Sequence, residues 1–246
     1  MEKTRIIIHG LGRLGQAVAN LAGDSVVAAV DKAAVSADFP VYQSLASCTE
    51  QGDVIIDCSH AEAVAELVAN ADLPLVICTT GLSGQSLAAI ADAAKSIPIL
   101  LSSNMSLGVN VVSKLAAQAA QMLDGAGFDI EIIEAHHNQK LDAPSGTAML
   151  LANAINDAMG GKFKYVYDRS QYLQKREADE IGISAIRGGG IVGEHSVILA
   201  GQGEIIEISH RALSRDIFAQ GALTAANFIK NKPAGLYTME DLISNN

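Results

Sequence analysis

The window EAHHNQKLDAPSGTA, from Glu134 to Ala148, concentrates side chains that can transfer protons and bind anions. His136 and His137 are adjacent imidazoles, and Lys140 follows in a segment that is typical of a loop. Imidazoles and amines are common general acids and bases in enzymes. Alternate side chains of a strand point to opposite faces, so the two imidazoles diverge unless the strand has already ended. The window therefore indicates proton transfer and leaves open which imidazole faces a substrate.

The second half of the same window favours the binding of a carboxylate. The Asp142-Ala143-Pro144 segment predicts a turn, and Ser145 is a good N-cap for the helix-like run that Gly160-Gly161 closes. The first turn of a helix offers unpaired N–H groups and the positive end of the helix dipole. Ser145, Gly146 and Thr147 are therefore a candidate carboxylate site. Simple N-capping is the alternative, and capping and binding can coexist.

The remaining histidines and the cysteines do not indicate a metal site. Adjacent histidines lack the HxH or HxxxH spacing that lets two rings reach one ion, and Lys140 adds positive charge beside them. Four further histidines are scattered and are interpreted as structural or cofactor-peripheral: His9, His60, His195 and His210. Three cysteines without CxxC spacing are interpreted as reduced core residues: Cys48, Cys58 and Cys78. We therefore expect no metal.

A glycine-rich turn near the N-terminus indicates a dinucleotide site. The segment from Gly10 to Gly15, GLGRLG, has the GxGxxG spacing between an apolar strand and a helix, and Asp31 ends the next strand. Such glycines let backbone N–H groups approach a pyrophosphate, and the carboxylate accepts from the ribose. Asp31 alone favours NADH, because its charge repels a 2′-phosphate. Arg13 and Lys32 could hold that phosphate, so we hypothesise that the protein uses both NADH and NADPH.

The elements that position these residues begin as a β-α-β series. Short apolar runs alternate with helix-like segments; the runs are RIIIHG, SVVAAVD, DVIIDCS, PLVICTTG and PILLSSN. This rhythm predicts a parallel sheet with right-handed crossovers, and ligands bind at the carboxyl edge of such sheets. Thr79 and Thr80 follow one strand and Ser102 to Met105 follow another. These loops are candidates for the nicotinamide end of the cofactor, with ordinary loop capping as the alternative.

The pattern changes after the helix-like segment LGVNVVSKLAAQAAQML. A strand whose two faces differ in polarity is predicted to start near Phe128. Gly-containing turns then separate three later runs that are typical of an antiparallel sheet: GISAIRGGG, EHSVILAG and EIIEISHRA. We predict an α/β protein with a dinucleotide-binding domain at residues 1–106, completed by residues 215–246. A mixed α+β domain is predicted at residues 107–214.

Composition narrows the class of protein. The 246 residues are 49% hydrophobic and 4% aromatic, with 22 glycines and no tryptophan, which is typical of buried parallel strands covered by Ala-rich helices. A net charge of -10 argues against nucleic acid or an anionic membrane as a partner. No apolar run approaches the roughly 20 residues that span a bilayer, and no signal-peptide pattern is present. We expect a soluble cytoplasmic protein.

The polar window also carries a family resemblance. From Glu131 to Ala148 the pattern E-x-x-E-x-H-H-x-x-K-x-D-A-P-S-G-T-A resembles the signature of bacterial dihydrodipicolinate reductases. Further blocks of the chain resemble that family too: GRLG, CTTG, SSNMS, IRGGGIVGEH and SRDIFAQGA. The resemblance implies a Rossmann-like parallel-sheet cofactor domain and a mixed α+β domain for substrate binding and homotetramerisation. It also implies NAD(P)H-dependent reduction of 4-hydroxy-tetrahydrodipicolinate to tetrahydrodipicolinate, with loss of water, in diaminopimelate and lysine synthesis.

Residue roles follow from the resemblance by matching position. The catalytic residues become His136, as proton donor/acceptor, and Lys140, as proton donor. The residues that hold the carboxylates of a small dicarboxylate substrate become His137, Ser145, Gly146 and Thr147. The residues that hold NADH or NADPH become Gly10, Leu11, Gly12, Arg13, Leu14, Asp31, Lys32, Cys78, Thr79, Thr80, Ser102, Ser103, Asn104 and Met105.

Two rival functions remain at this point. The first is another two-domain dehydrogenase of the aspartate-semialdehyde or homoserine type. Such an enzyme needs a nucleophilic cysteine in the substrate domain or a different lysine pairing, and all three cysteines lie in the first domain. The second is a non-catalytic nucleotide sensor, which has no reason to keep His136 and Lys140 together.

Overall fold

The computed structural model describes residues 3–33, 35–167, 169–171 and 173–244 and shows two compact units. The first unit comprises Met1–Leu107 and Asp216–Asn246, and the second comprises Gly108–Arg215. Among the described residues, no helix has both the length and the apolar character needed to cross a membrane.

The first unit is built on a seven-stranded sheet. Its strands are β1 (Ile6–His9), β2 (Val26–Val30), β3 (Val41–Tyr42), β4 (Val54–Asp57), β5 (Leu75–Ile77), β6 (Pro98–Leu101) and β12 (Gly235–Tyr237). They lie in the order β12-β6-β5-β4-β1-β2-β3, and all neighbours pair in parallel, which confirms the predicted parallel sheet. Because the chain moves outward from β1 in one direction and returns through β4 in the other, a crevice forms at the carboxyl ends of β1 and β4.

Helices cover both faces of this sheet. They are α1 (Arg13–Ala22), α2 (Ala61–Asn70), α3 (Gly84–Ala93), α6 (Asp216–Ile229) and α7 (Met239–Ser244), with 3₁₀ turns at Gly23–Ser25 and Leu45–Ser47. Alternate residues of a strand point to opposite faces. Ile6 and Ile8 of β1 therefore pack with α1 and α6, whereas Ile7 packs with α2 and α3. Two apolar cores, one on each face, pack the sheet against its helices. The loops at the carboxyl edge therefore start from well-packed strands.

The second unit contains a five-stranded sheet of mixed direction. Its elements are α4 (Leu107–Met122), β7 (Asp129–His136), α5 (Gly146–Ala158), β8 (Lys164–Val166), a 3₁₀ turn (Arg169–Gln171), β9 (Glu180–Arg187), β10 (Gly193–Ala200) and β11 (Ile205–Ala212). The order is β11-β10-β7-β9-β8. One face packs against α4 and α5 in a single core. On the other face, Ile133, Ile186 and Ile205 are exposed.

The predicted antiparallel arrangement of this sheet is wrong for β9. β10 pairs antiparallel with β7 and β11, as the Gly-containing turns indicated, but β9 runs parallel to β7 and β8. The physical reason is the helix α5, which carries the chain back along the sheet after β7 so that the following strands restart in the same direction. β9 and β10 are consecutive in sequence but lie on opposite sides of β7.

Candidate functional site

Each glycine of the GxGxxG turn meets a different surrounding. Gly10 has φ +90°, and a Cβ there would lie 2.8 Å from the Cα of Ser59. A Cβ on Gly15 would lie 2.0 Å from the carbonyl oxygen of Gly10, so this glycine lets α1 pack against the turn. A Cβ on Gly12 would meet nothing within 4 Å. The first and third glycines therefore serve the fold, and the second leaves the start of α1 open to a ligand.

The start of α1 is suited to an anion. Gly12 is the N-cap, and no side chain of the described residues caps the first turn. Unpaired N–H groups and the helix dipole both favour negative charge at this position. Arg13 is exposed, whereas the side chains of Leu11 and Leu14 pack in the apolar core. The Leu11 side chain is therefore unavailable to a cofactor, and its N–H already donates to Asp31, whereas Leu14 is partly exposed.

A cavity of about 410 Å³ adjoins this turn. It is lined by residues that follow β1, β2 and β4 and by the face of α2. In its wall, the Asp31 carboxylate accepts hydrogen bonds from the backbone N–H groups of Leu11 at 2.7 Å and Ala33 at 2.8 Å. A carboxylate has about four acceptor positions, so Asp31 retains capacity for ribose hydroxyls. Beside it, the exposed Lys32 Nζ lies 3.5 Å from Glu66 Oε2.

The Asp57 carboxylate organises the carboxyl ends of β1, β4 and β5. It is fully buried and accepts from the hydroxyl of Thr79 at 2.6 Å, the hydroxyl of Ser59 at 2.5 Å and Nδ1 of His9 at 2.8 Å. Thr79 is thus fixed by a hydrogen bond, while Thr80 is exposed. One buried charge sets the shape of the loop that the sequence assigned to the nicotinamide end.

Cys78 and the loop after β6 complete this edge of the sheet. A hydrogen bond with the Cys58 thiol, followed by burial, raises the pKa of the Cys78 thiol well above its usual value, so Cys78 is an inert core thiol. The Ser102 hydroxyl donates to the carbonyl oxygen of Asn104 at 2.8 Å, which closes a tight turn. Ser103 is exposed, and the Met105 side chain lies in the core.

These features fit a dinucleotide. The open side of Gly12, the uncapped start of α1, the adjacent cavity and the Asp31 carboxylate are the parts that a pyrophosphate and an adenosine ribose need. The predicted cofactor residues lie at the carboxyl edge of one sheet, but the Leu11, Leu14 and Met105 side chains point into the core.

In the second unit, His136 is held by a buried carboxylate. It is the last residue of β7, and its Nδ1 lies 2.6 Å from Oε2 of Glu134. Arg187 binds the same carboxylate through two nitrogens, each at 2.7 Å. The parallel pairing of β7 with β9 places Arg187 directly beside His136. The β7 end therefore carries an ordered His-Glu-Arg group.

His195 lies against this group. Its ring meets the His136 ring edge-on, with centroids 5.1 Å apart, and its Nε2 lies 3.1 Å from Oγ of Ser145. Burial, followed by the charge of the nearby His136, lowers the pKa of His195 to about 4. Its Nδ1 has no partner among the described residues. His195 is therefore neutral near neutral pH and acts as a wall of the site.

His137 and Lys140 lie on the loop that follows β7. Because the strand ends at His136, His137 is free of the strand alternation, and its Nε2 accepts from Arg215 at 2.8 Å. Burial, followed by the Arg215 guanidinium, lowers the pKa of His137. Lys140 Nζ lies 2.8 Å from Oδ1 of Asp142. Arg215, His137 and Lys140 together supply groups that suit an anionic ligand.

The start of α5 has the geometry that the sequence predicted. Ser145 is the N-cap, and its Oγ accepts from the N–H of Ala148 at 3.1 Å, which confirms the N-cap prediction. The N–H of Ser145 donates to Oε1 of Glu134 at 2.9 Å. Gly146 is exposed, and a Cβ there would meet nothing within 4 Å. The start of α5 is therefore exposed at Gly146, whose N–H faces the Asp142 carboxylate, and the Glu134 carboxylate anchors the N-cap.

Sequence reasoning missed four residues of these two sites: Asp57, Glu134, Arg187 and His195. Glu134 belongs to the pattern that runs from Glu131 to Ala148, but the sequence assigns it neither a catalytic nor a binding role. Arg187 ends a strand and therefore had the positional signal of a site residue, but the wrong direction expected for β9 concealed its neighbour. His195 was interpreted as structural or peripheral to a cofactor, whereas it touches both His136 and Ser145.

Among the described residues, no group of three or more histidine, cysteine or acidic side chains could hold a metal ion. Glu134 is hydrogen-bonded to His136, and Asp142 is paired with Lys140.

Comparisons with known proteins give a consistent result. Profiles described as dihydrodipicolinate reductase, N-terminus and C-terminus, match residues 4–105 and 108–243. The 4-hydroxy-tetrahydrodipicolinate reductase of Caldanaerobacter subterraneus subsp. tengcongensis is 52% identical over 97% of this chain and 98% of its own. That of Clostridium tetani is 46% identical over 98% of this chain and 97% of its own.

A solved structure is similar over the same extent. Dipicolinate-bound dihydrodipicolinate reductase from Paenisporosarcina sp. TG-14 is 25% identical and aligns with a TM-score of 0.78, covering 96% of this chain and 98% of its own. The likeness therefore extends over both units and includes a relative with a dicarboxylate bound.

Proposed function

The chain belongs to the dihydrodipicolinate reductase family, and on that premise we propose that it is a 4-hydroxy-tetrahydrodipicolinate reductase of diaminopimelate and lysine biosynthesis. The enzyme is an oxidoreductase that reduces 4-hydroxy-tetrahydrodipicolinate to tetrahydrodipicolinate with loss of water. The observation that carries the proposal is the grouping of His136, Lys140 and the open start of α5, since it combines proton donors with a carboxylate site.

The substrate is a small ring with two carboxylates, and the second unit has groups suited to both. We assign one carboxylate to the first turn of α5, Ser145 to Thr147, where Gly146 is exposed and the helix dipole favours negative charge. The buried Ser145 contributes as the N-cap, because its N–H already donates to Glu134. We assign the second carboxylate to the side of His137, where Arg215, hydrogen-bonded to the His137 ring, and Lys140 supply the positive charge. Dipicolinate, the compound bound by the solved relative, has the same two-carboxylate character.

The cofactor is a pyridine nucleotide. Gly10 to Leu14 and Asp31 hold its pyrophosphate and adenosine, with Lys32 at the ribose. Cys78 to Thr80 and Ser102 to Met105 form the loops for the nicotinamide end. Arg13 and Lys32 are two exposed cations that favour a 2′-phosphate, while Asp31 disfavours it, so the enzyme uses both NADH and NADPH.

In the proposed reaction, the side chains of this protein bind the substrate and transfer protons. A bound reduced nicotinamide supplies hydride to the substrate ring. The Lys140 ammonium donates a proton to the ring carbon that becomes electron-rich after hydride addition. Asp142, on the same loop, is paired with Lys140 and orients it. The loss of water is neutral in protons: His136 gives a proton to the ring hydroxyl that leaves as water and takes one from the adjacent ring carbon. The neutral His195 packs against the His136 ring.

A coupled assay tests the proposal. Dihydrodipicolinate synthase supplies the unstable substrate in the cuvette, and the loss of NADH or NADPH absorbance is followed after this protein is added. Substrate-dependent oxidation of either nucleotide is expected. If neither nucleotide is consumed while the synthase is active, the proposed function is wrong.

The assembly is a homotetramer formed through the second unit. The face of the five-stranded sheet opposite its core exposes Ile133, Ile186 and Ile205, whose side chains are 38, 52 and 68% accessible. An exposed apolar sheet face of this kind favours association. Sedimentation of the wild type and of Ile186→Asp measures it: a tetramer that the substitution dissociates is expected. The three free cysteines agree with a cytoplasmic, reducing location.

A further inference from the structure

The Glu134 carboxylate joins three elements of the second unit. It is fully buried, and it accepts from Nδ1 of His136 on its own strand, from both terminal nitrogens of Arg187 on β9, and from the N–H of Ser145 at the start of α5. A buried charge is costly unless it is paired and hydrogen-bonded. Four donors within 2.9 Å meet that requirement.

We propose that Glu134 is a positioning residue for the proton transfer. It fixes the tautomer and rotation of His136, and through its other oxygen it fixes the residue that begins the carboxylate-binding turn, Ser145. One buried carboxylate thereby fixes the position of the His136 ring relative to the turn that binds the substrate carboxylate. This role rests on the proposed reductase function, because it assigns a purpose to the His136 ring.

The tautomer follows from hydrogen-bond chemistry. An ionised carboxylate can only accept, so the His136 nitrogen that faces Glu134, Nδ1, carries a proton. Nε2 is then the nitrogen that exchanges a proton with a ligand. Nε2 has room on one side because Gly193 has no side chain: a Cβ there would lie 3.1 Å from it.

Arg187 keeps the Glu134 carboxyl ionised. Burial alone raises the pKa of Glu134, but the hydrogen bonds from Arg187, His136 and Ser145 outweigh burial and hold the pKa below its usual value. Glu134 therefore does not take the proton itself. Arg187 Nη2 also donates to the carbonyl oxygen of Asp142 at 2.7 Å, which attaches the loop that carries Lys140 to the same group.

The substitution Glu134→Gln tests this role. The amide can still offer an oxygen to Ser145 and to Arg187 Nη2, but its NH₂ group then faces Nδ1 of His136 and Nη1 of Arg187. It therefore favours the opposite His136 tautomer and loses one of the two Arg187 hydrogen bonds. We expect kcat to fall by about 100-fold while KM for the substrate changes by less than about threefold. A general loss of fold would instead lower the amount of active enzyme and its thermal stability together.

Glu131→Gln is the matched control. Glu131 is on the same strand, points to the other face and is paired with Arg176 at 3.1 Å, so the same chemical change removes an ion pair away from His136. Its kcat is expected to stay within about twofold of the wild type, because exposed or half-exposed pairs contribute little. Equal losses of kcat in both variants would overturn the positioning role.

A spectroscopic readout separates this role from the activity itself. ¹⁵N NMR of the histidine rings, with His136 identified through His136→Gln, is expected to show the Nδ1–H tautomer in the wild type and the Nε2–H tautomer in Glu134→Gln. Arg187→Met is the second variant if Glu134→Gln does not fold; it leaves Glu134 in place, and about tenfold lower kcat is expected.

The possible failures are distinguishable. Wild-type protein without nucleotide oxidation would refute the proposed function, whereas the ring tautomer would still be measured. Wild-type His136 in the Nε2–H tautomer, or Glu134→Gln with wild-type kcat, would overturn the positioning role alone.

Discussion

Acidification is expected to destabilise the protein through His195. Burial holds the pKa of this imidazole near 4, compared with 6.5 for an ordinary histidine. Between these values the unfolded chain binds a proton that the folded chain does not, so stability is present above pH 6.5 and is lost as the pH falls toward 4. The shift corresponds to a loss of about 2 kcal/mol at pH 5 and about 3 kcal/mol at pH 4.

The structure explains why the folded protein rejects this proton. A charged His195 would carry N–H groups on both nitrogens, and Nδ1 has no acceptor among the described residues. The ring also lies 5.1 Å from the ring of His136, and the attraction of the Glu134 carboxylate, which raises the His195 pKa, does not offset burial. Desolvation and the missing acceptor act in the same direction.

Urea unfolding followed by circular dichroism measures the effect at pH 7, 6 and 5. Other groups titrate in this range, so the informative quantity is the difference between the wild type and His195→Gln at a fixed protein concentration. From pH 7 to pH 5 the wild type should lose about 2 kcal/mol more than the variant. A difference below about 0.5 kcal/mol would refute the reasoning, because His195 would then titrate as an ordinary histidine.

Three further predictions concern cofactor and substrate. Lys140→Ala should lower kcat by about 100-fold without weakening NADH binding measured by fluorescence; near-normal turnover would remove Lys140 from the mechanism. Gly15→Ala forces a Cβ to 2.0 Å from the Gly10 carbonyl and should cost about 1–3 kcal/mol of stability, whereas Gly12→Ala meets open space and should weaken nucleotide binding with little change in Tm. If both variants lost stability equally, the assignment of Gly12 to the ligand would fail. Glu66→Gln frees Lys32 for a 2′-phosphate and should raise the NADPH-to-NADH ratio of kcat/KM by about two- to fivefold; an unchanged ratio would show that Lys32 does not contact the cofactor.

Local signals in the sequence were sufficient for much of the fold. The spacing of Gly10, Gly12 and Gly15 between an apolar run and a helix reports geometry within a few residues, and the turn forms where it was predicted. Ser145 caps α5 for the same reason, since a cap needs only its own hydroxyl and the next turn of the chain. Short apolar runs separated by helices also predicted the parallel sheet of the first unit.

Strand pairing in the second unit required the tertiary structure. The run GISAIRGGG predicts a strand, which the structure places at Glu180–Arg187. The sequence pattern does not show which strands lie on either side of it or in which direction they run. The parallel register sets Arg187 beside His136, and the antiparallel register sets His195 opposite Glu134. The two residues of each pair are far apart in sequence, and no nearby residue pattern indicates that they are neighbours.

The sequence by itself therefore determined the chemistry available at the end of β7 and the start of α5: two imidazoles, a lysine and a helix cap. The hydrogen-bond partners and the burial of those groups follow from the packing of the strands. In the folded protein Glu134 is buried, Arg187 pairs with Glu134 and keeps it ionised, and the neutral His195 packs against His136. The physical reason is that hydrogen-bond partners and desolvation depend on neighbours brought together by sheet order, which residue type and spacing do not encode.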